Sequence, residues 1–326
     1  MSIEIKTSTL EPIRHTFEHT KRRFGDKPAS RYQEASYDIA PEKNFHYRPM
    51  WQPDKLLNDS SRTAIVMEDW YAYRDPRQYY YGTYVQARAK LQEVTESNYA
   101  FFDKRGFADR MSDEVKAKII RCLVPLRHME LGANMNNVLC CAYGTSTVLT
   151  QAFLYNGMDR LGIAQYLSRI GLLLDGNSTD GLAKAKEHWM TDSAWQGLRR
   201  YTENTLVVED WFEVFIAQDV VLDTLIYDLM YRQFDEKITE EGGSDLAMLI
   251  EFMQEWHKDN SRWVDATLKS TVAESEHNKE LIGRWVADWQ EKAVADMAPL
   301  AEIAVGEEAV NASVEVLNKR LAKAGL

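Results

Sequence analysis

Cysteine is scarce in this chain of 326 residues, with only Cys122, Cys140 and Cys141 present. All three fall in one apolar stretch and form no metal-ligand array. They read as buried, reduced thiols in a cytoplasmic protein, and a disulfide framework is excluded. Runs of Lys and Arg are also missing. With a net charge of −11, neither nucleic acid nor an anionic membrane surface is an expected partner. No apolar run is long enough to span a bilayer, because the most apolar stretch, residues 206–230, is broken by Glu209, Asp210, Glu213, Asp219, Asp223 and Asp228. The first twenty residues lack the basic region and apolar core of a secretory signal. Gly-rich phosphate loops, Gly-x-Ser-x-Gly elbows and Cys-x-x-Cys pairs do not occur. Internal repeats, low-complexity tracts and convincing strands are absent too.

What is present divides the chain in two. Residues 1–82 hold six of the eight prolines, which makes long helices improbable there. The same region is dense in aromatics, with twelve between positions 31 and 84. A disordered tail would be poor in such residues, so an extended arm that packs against something is expected. Tyr, Trp and Arg in such an arm suit a subunit interface, for which Tyr32, Tyr37, Tyr47, Arg48 and Trp51 are the candidates. The plainer reading is that the arm folds back on its own helices.

Residues 83–326 carry a helical pattern almost throughout. The expected segments are 84–104, a long one over 119–144 with Pro125 inside it as a kink or restart, 146–155 paired with 159–174, 182–190, 193–233, 245–273, 275–297 and a weak tail over 309–326. Ser112 and Ser244 have the character of N-caps, and Gly106 and the Gly242-Gly243 pair mark ends. At 45% apolar residues and this length a substantial core is expected.

Residues 119–144 organise the chain. Arg127, Glu130, Asn134 and Asn137 recur at helical spacing and form a polar ladder on an otherwise apolar helix. A buried ladder must find partners or cost stability. Long helices with inward carboxylates suit the ferritin-like di-iron architecture, whose ligands are a Glu from each of two helices and a Glu-x-x-His from each of two others. The chain fails that test. Three residues after Glu130 stands Ala133, and the matching face of the 245–273 helix reads Glu255, Asp259, Arg262. One Glu-x-x-His exists, Glu274 with His277, in a charged stretch beyond the apolar pattern, where a solvated helix end is the better reading. His128, His188 and His257 read as packing or surface histidines, and most of the nine Trp as core.

Several segments resemble a known family. RRFGDKPASRYQEASYD (22–38), NFHYRPMW (44–51), DPRQYYYGTYV (75–85), LVPLRHMELGANMNN (123–137) and GMDRLGIAQYLSRI (157–170) are similar to the β subunit of the hydroxylase component of bacterial multicomponent monooxygenases. The phenol hydroxylase branch is nearest and the toluene monooxygenase branch next. The resemblance covers nearly the whole chain and is least distinctive from residue 283 on. It implies an all-α, ferritin-like bundle without a metal site and no catalytic, cofactor-binding or metal-binding residue in this chain. It also implies α and γ partner subunits in a dimer of αβγ trimers. The di-iron centre that hydroxylates phenol or methylphenols with O₂ belongs to α, NADH-derived electrons come from a reductase, and a regulatory protein docks on the assembly. The alternative of another class is a stand-alone di-iron oxidase using Glu274 and His277.

One expectation joins both readings. Arg127 and Arg262 are expected to supply, as buried ion pairs to Glu130 and Asp259, the positive charge that iron supplies in the α chain.

Overall fold

The computed structural model describes residues 18–39, 50 and 52–326, and among these every ordered element is helical. Two short helices come first, α1 (Glu18–Phe24) and α2 (Arg31–Ser36). Ser30 and Gln33 close a reciprocal cap on α2, the Ser30 hydroxyl accepting from the Gln33 N–H at 3.2 Å and Gln33 Oε1 accepting from the Ser30 N–H at 2.8 Å. Residues 52–80 then run over the bundle with only one 3₁₀ turn, Ser60–Arg62.

The bundle follows as α3 (Tyr81–Lys104), α4 (Asp113–Cys122), α5 (Leu126–Tyr143), α6 (Thr147–Leu174), α7 (Asp180–Thr191) and α8 (Ser193–Thr205). Next comes one continuous rod in which α9 (Trp211–Phe215), α10 (Asp223–Tyr227) and α11 (Phe234–Glu240) are joined by wide π turns at Ile216–Leu222 and Asp228–Gln233. Then come α12 (Leu246–Glu274), α13 (Glu276–Ala304) and α14 (Ala309–Ala324).

Local chemistry accounts for most boundaries. Ser112 caps α4 by accepting from the Val115 N–H, and Asp113 and Glu114 complement the helix dipole in its first turn. Pro125 restarts the chain, so the 119–144 pattern is the end of α4 and the whole of α5. Asp210 caps α9 through the N–H groups of Phe212 and Glu213 and splits the expected 193–233 helix after Thr205. Ser275 turns the chain between α12 and α13, its hydroxyl accepting from the Asn278 N–H.

Two expected helices, 146–155 and 159–174, are one. α6 passes straight through Asn156-Gly157, a pair that reads as a turn in isolation. The reason is packing, because a Cβ at Gly157 would stand 3.4 Å from Val138 Cγ2, and the Gly157 carbonyl accepts from Asn134 Nδ2 at 2.7 Å. The missing side chain lets α6 lie close on α5.

The core is built on Trp195, Trp211, Trp256 and Trp263, all fully buried. One face of the bundle stays apolar and open. Leu131, Met135 and Val138 of α5 and Leu154, Met158 and Leu161 of α6 are each between 42% and 50% exposed. The 119–144 pattern is therefore buried on one side rather than all round. No helix among the described residues is long and apolar enough to cross a membrane.

The arm's described part is stitched to this bundle. Asn278 of α13 grips Val66 in both directions, Oδ1 accepting from its N–H at 3.0 Å and Nδ2 donating to its carbonyl at 2.8 Å. Gln151 Nε2 of α6 donates to the Tyr79 carbonyl, and the Tyr73 hydroxyl to the Trp263 carbonyl. Arg23 ties α1 to both Asp38 and Asp69.

Candidate functional site

The polar centre of the molecule lies between α5, α6 and the α9–α11 rod. Arg160 of α6 is fully buried and points at three buried carboxylates. Its Nη1 donates to Glu130 Oε2 at 3.1 Å, and its Nη2 donates to Asp219 Oδ1 at 3.3 Å and to Asp223 Oδ2. Its Nε donates to Asn156 Oδ1, one helical turn back on α6. The guanidinium lies over the Trp256 ring, 4.6 Å from the centroid.

Amides and a phenol fill the remaining positions. Tyr227 donates to Glu130 Oε1 at 2.9 Å. Asn137 and Asn156 donate to Asp219 Oδ1 at 3.2 Å and 2.7 Å, and Gln218 donates to Asp223 Oδ1 at 2.9 Å. Asp219 Oδ2 has no partner. The first π turn contributes Gln218 and Asp219, and Asp223 follows at its end; such wide turns frequently mark functional positions.

Three carboxylates facing one cation leave an excess of negative charge, and burial decides where it goes. Burial raises the Glu130 carboxyl to about 7, although Arg160 opposes the shift. Burial together with the neighbouring Asp223 raises Asp219 to about 7 as well. Arg160 is pushed the other way. Its desolvation, which alone would lower its pKa, is outweighed by Asp223 and Glu130, so it stays charged.

A second ionic centre binds α3, α6 and α12. Asp159 accepts from Arg88 Nε at 2.9 Å, from the Tyr84 hydroxyl at 2.9 Å and from Trp256 Nε1 at 2.8 Å. Asp259 accepts from the Tyr79 hydroxyl at 3.0 Å and pairs with Arg88 at 3.3 Å.

The expected ion pairs are therefore corrected. Glu130 does have a buried arginine, but it is Arg160. Arg127 instead donates to the Leu182 carbonyl, away from Glu130. Asp259 is held by Arg88 and Tyr79, while Arg262 stands 3.7 Å away with more than half of its side chain in solvent. Helical continuity explains the miss. With α6 unbroken, Asn156 and Arg160 share a face four residues apart, and an arginine inside an apolar run was the available signal.

The Glu274 and His277 pair is also corrected. Both side chains are exposed and contact the arm backbone, Glu274 Oε1 accepting from the Glu68 N–H at 2.7 Å and His277 Nε2 standing 3.3 Å from the Ala64 carbonyl. No further acid or imidazole joins them. His128 stacks on Trp189, and His257 stacks on Tyr227 with ring centroids 4.6 Å apart. Among the described residues no group of three His, Cys, Asp or Glu side chains could hold a metal ion. Of the arm candidates, Tyr32 and Tyr37 lie buried within the chain's own core, where Tyr32 accepts from the Asp75 N–H and Tyr37 donates to the Tyr73 carbonyl. Tyr47, Arg48 and Trp51 lie outside the described residues.

Residues 51–275 match the sequence model of the methane/phenol/alkene hydroxylase family. The chain belongs to this family. It is 53% identical to the phenol 2-monooxygenase oxygenase component DmpL of Pseudomonas sp. (strain CF600), over all of this chain and 98% of that one. It is 51% identical over the same shares to the oxygenase component MhpL of Acinetobacter pittii (strain PHEA-2). The crystal structure of xenon-pressurized phenol hydroxylase from Pseudomonas sp. OX1 superposes with a TM-score of 0.93 at 50% identity, covering 99% of this chain and 98% of that one. Toluene 4-monooxygenase, at 21% identity and a TM-score of 0.76 over 94% of this chain and 99% of that one, shares the fold.

The chain is thus part of an oxidoreductase complex in a family of di-iron monooxygenase hydroxylases, and its bundle is the all-α, ferritin-like one. Its own residues do not fit a di-iron centre. The guanidinium of Arg160 stands where the carboxylate oxygens converge, no imidazole reaches that point, and a fixed positive charge there repels cations.

Proposed function

We propose that this chain is the structural, non-catalytic β-type subunit of a multicomponent phenol hydroxylase. In this reading a partner α subunit carries the di-iron centre and hydroxylates phenol or methylphenols with O₂, using NADH-derived electrons from a reductase. A γ subunit completes the protomer, two αβγ protomers form the hydroxylase, and a regulatory protein acts on it. The carrying observation is Arg160 at the point where Glu130, Asp219 and Asp223 converge. A bundle that fixes its own cation there is built to be rigid rather than to bind and exchange metal and oxygen. The open apolar face of α5 and α6 supports the same reading, because an exposed patch of six large apolar side chains is what a subunit presents to a neighbour.

Two measurements test it. Purified alone, the chain is expected to contain no stoichiometric iron and to turn over no phenol. Omitting it from a mixture of the other hydroxylase subunits, reductase and regulatory protein is expected to abolish phenol hydroxylation, and adding it back to restore the activity. Stoichiometric iron with turnover by the isolated chain would overturn the reading.

A further inference from the structure

A groove of about 960 Å³ runs along α13 beside the end of α14. Its apolar lining is Gly283, Val286, Ala287, Val294, Leu321 and Leu326. Its charged lining is Glu276, Glu280 and Glu291 against a single lysine, Lys279. On α13 the lining extends from Glu276 to Ala295, which is about 28 Å at 1.5 Å per residue. All of these residues lie outside the 51–275 segment matched by the family model, so the groove is an addition to the shared hydroxylase core. The opposite side of α13 is committed to the interior, where Ile282, Ala293 and Met297 are fully buried.

The walls decide what shape of occupant fits. Both are α-helices, whose backbone groups are already paired within each helix, so an extended strand laid on the apolar floor would leave its own N–H and C=O groups unsatisfied. A helix brings its backbone bonds with it and needs only an apolar stripe. The rim decides the charge. A second copy of this chain, with the same acidic rim and a net charge of −11, would meet like charge with like. A segment rich in Lys and Arg meets complementary charge.

We propose that this groove receives an amphipathic helix of another component of the hydroxylase system, with an apolar stripe facing α13 and flanking Lys and Arg side chains on Glu276, Glu280 and Glu291. The proposal rests on the subunit reading above. The test places the photo-crosslinking residue p-benzoylphenylalanine at Ala287 and irradiates the purified, assembled complex, with the unsubstituted chain assembled in parallel. The expected result is a crosslink to one segment of another component, whose sequence shows apolar residues at helical spacing with a net positive flank. The crosslink should weaken at least several-fold in E280K/E291K. A crosslink to a second copy of this chain, to its own residues or to an acidic segment would overturn the proposal, as would an intact complex with no crosslink or a yield indifferent to charge reversal. If the unsubstituted chain assembles with no other component, the subunit reading fails, and this proposal fails with it.

Discussion

Replacing Arg160 with Met keeps most of the side chain's length and removes the only cation facing Glu130, Asp219 and Asp223. Breaking a buried ion pair from one side costs about 3–5 kcal/mol, because the charge left behind has no partner. For a chain of this size that corresponds to a fall of roughly 10 °C in Tm, at 2–4 °C per kcal/mol. The cost also carries a signature in pH. The folded-state pKa of Glu130 is raised from 4.5 to about 7, so the folded state holds a proton that the unfolded state releases. The stability linked to that proton is fully present below the unfolded value and is lost as pH rises through 7, about 3 kcal/mol in all. Without Arg160 the carboxyls of Glu130 and Asp219 rise further, so the variant is expected to be close to wild type near pH 5.5 and most destabilised near pH 8. Urea denaturation at both values reads this directly. The triple variant R160M/E130Q/D219N should recover much of the loss at pH 8, since it buries amides in place of unpaired charge. A cost for R160M that is the same at both pH values, or below about 1 kcal/mol at pH 8, would refute the account of the centre.

Three further outcomes are expected. Arg262→Met should change stability by less than about 0.5 kcal/mol in the same denaturation assay, because its side chain is more than half exposed and solvent screens the contact with Asp259. Gly197→Ala should cost at least about 1–3 kcal/mol in thermal melts, since a Cβ there would stand 2.2 Å from the Asp296 carbonyl oxygen and force α8 away from α13. The pair L131K/M158K, on the open face of α5 and α6, should leave the isolated chain within about 0.5 kcal/mol of wild type. The same pair should weaken assembly with the other hydroxylase subunits in sedimentation velocity.

The parts of the fold legible in the sequence were those set by neighbours along the chain. Ser112 before Asp113 and Glu114, Pro125 inside an apolar run and Gly242-Gly243 after the long rod each act on their own backbone, and each marks a real boundary. The missing imidazole after Glu130 was equally visible, because it needs only helical spacing. Arg160 was not. Its role depends on α6 continuing through Asn156-Gly157, which depends in turn on the closeness of α5, and its acidic partners arrive from a helix some sixty residues away. The aromatic arm was half legible. Its composition required packing, but nothing local said that Tyr32 and Tyr37 would be buried by the chain's own helices.

The charge at the centre of this bundle is encoded rather than acquired. A bundle completed by metal depends, for its final stability, on cellular iron supply and on the order in which protein and ion meet. Here the cation is held by a side chain of α6 and arrives with translation. The chain can therefore reach its final packing before any iron is delivered, and in the proposed assembly it can present a finished surface to a partner that is still empty. Iron limitation would then change how many active centres are loaded while leaving the supply of this scaffold untouched.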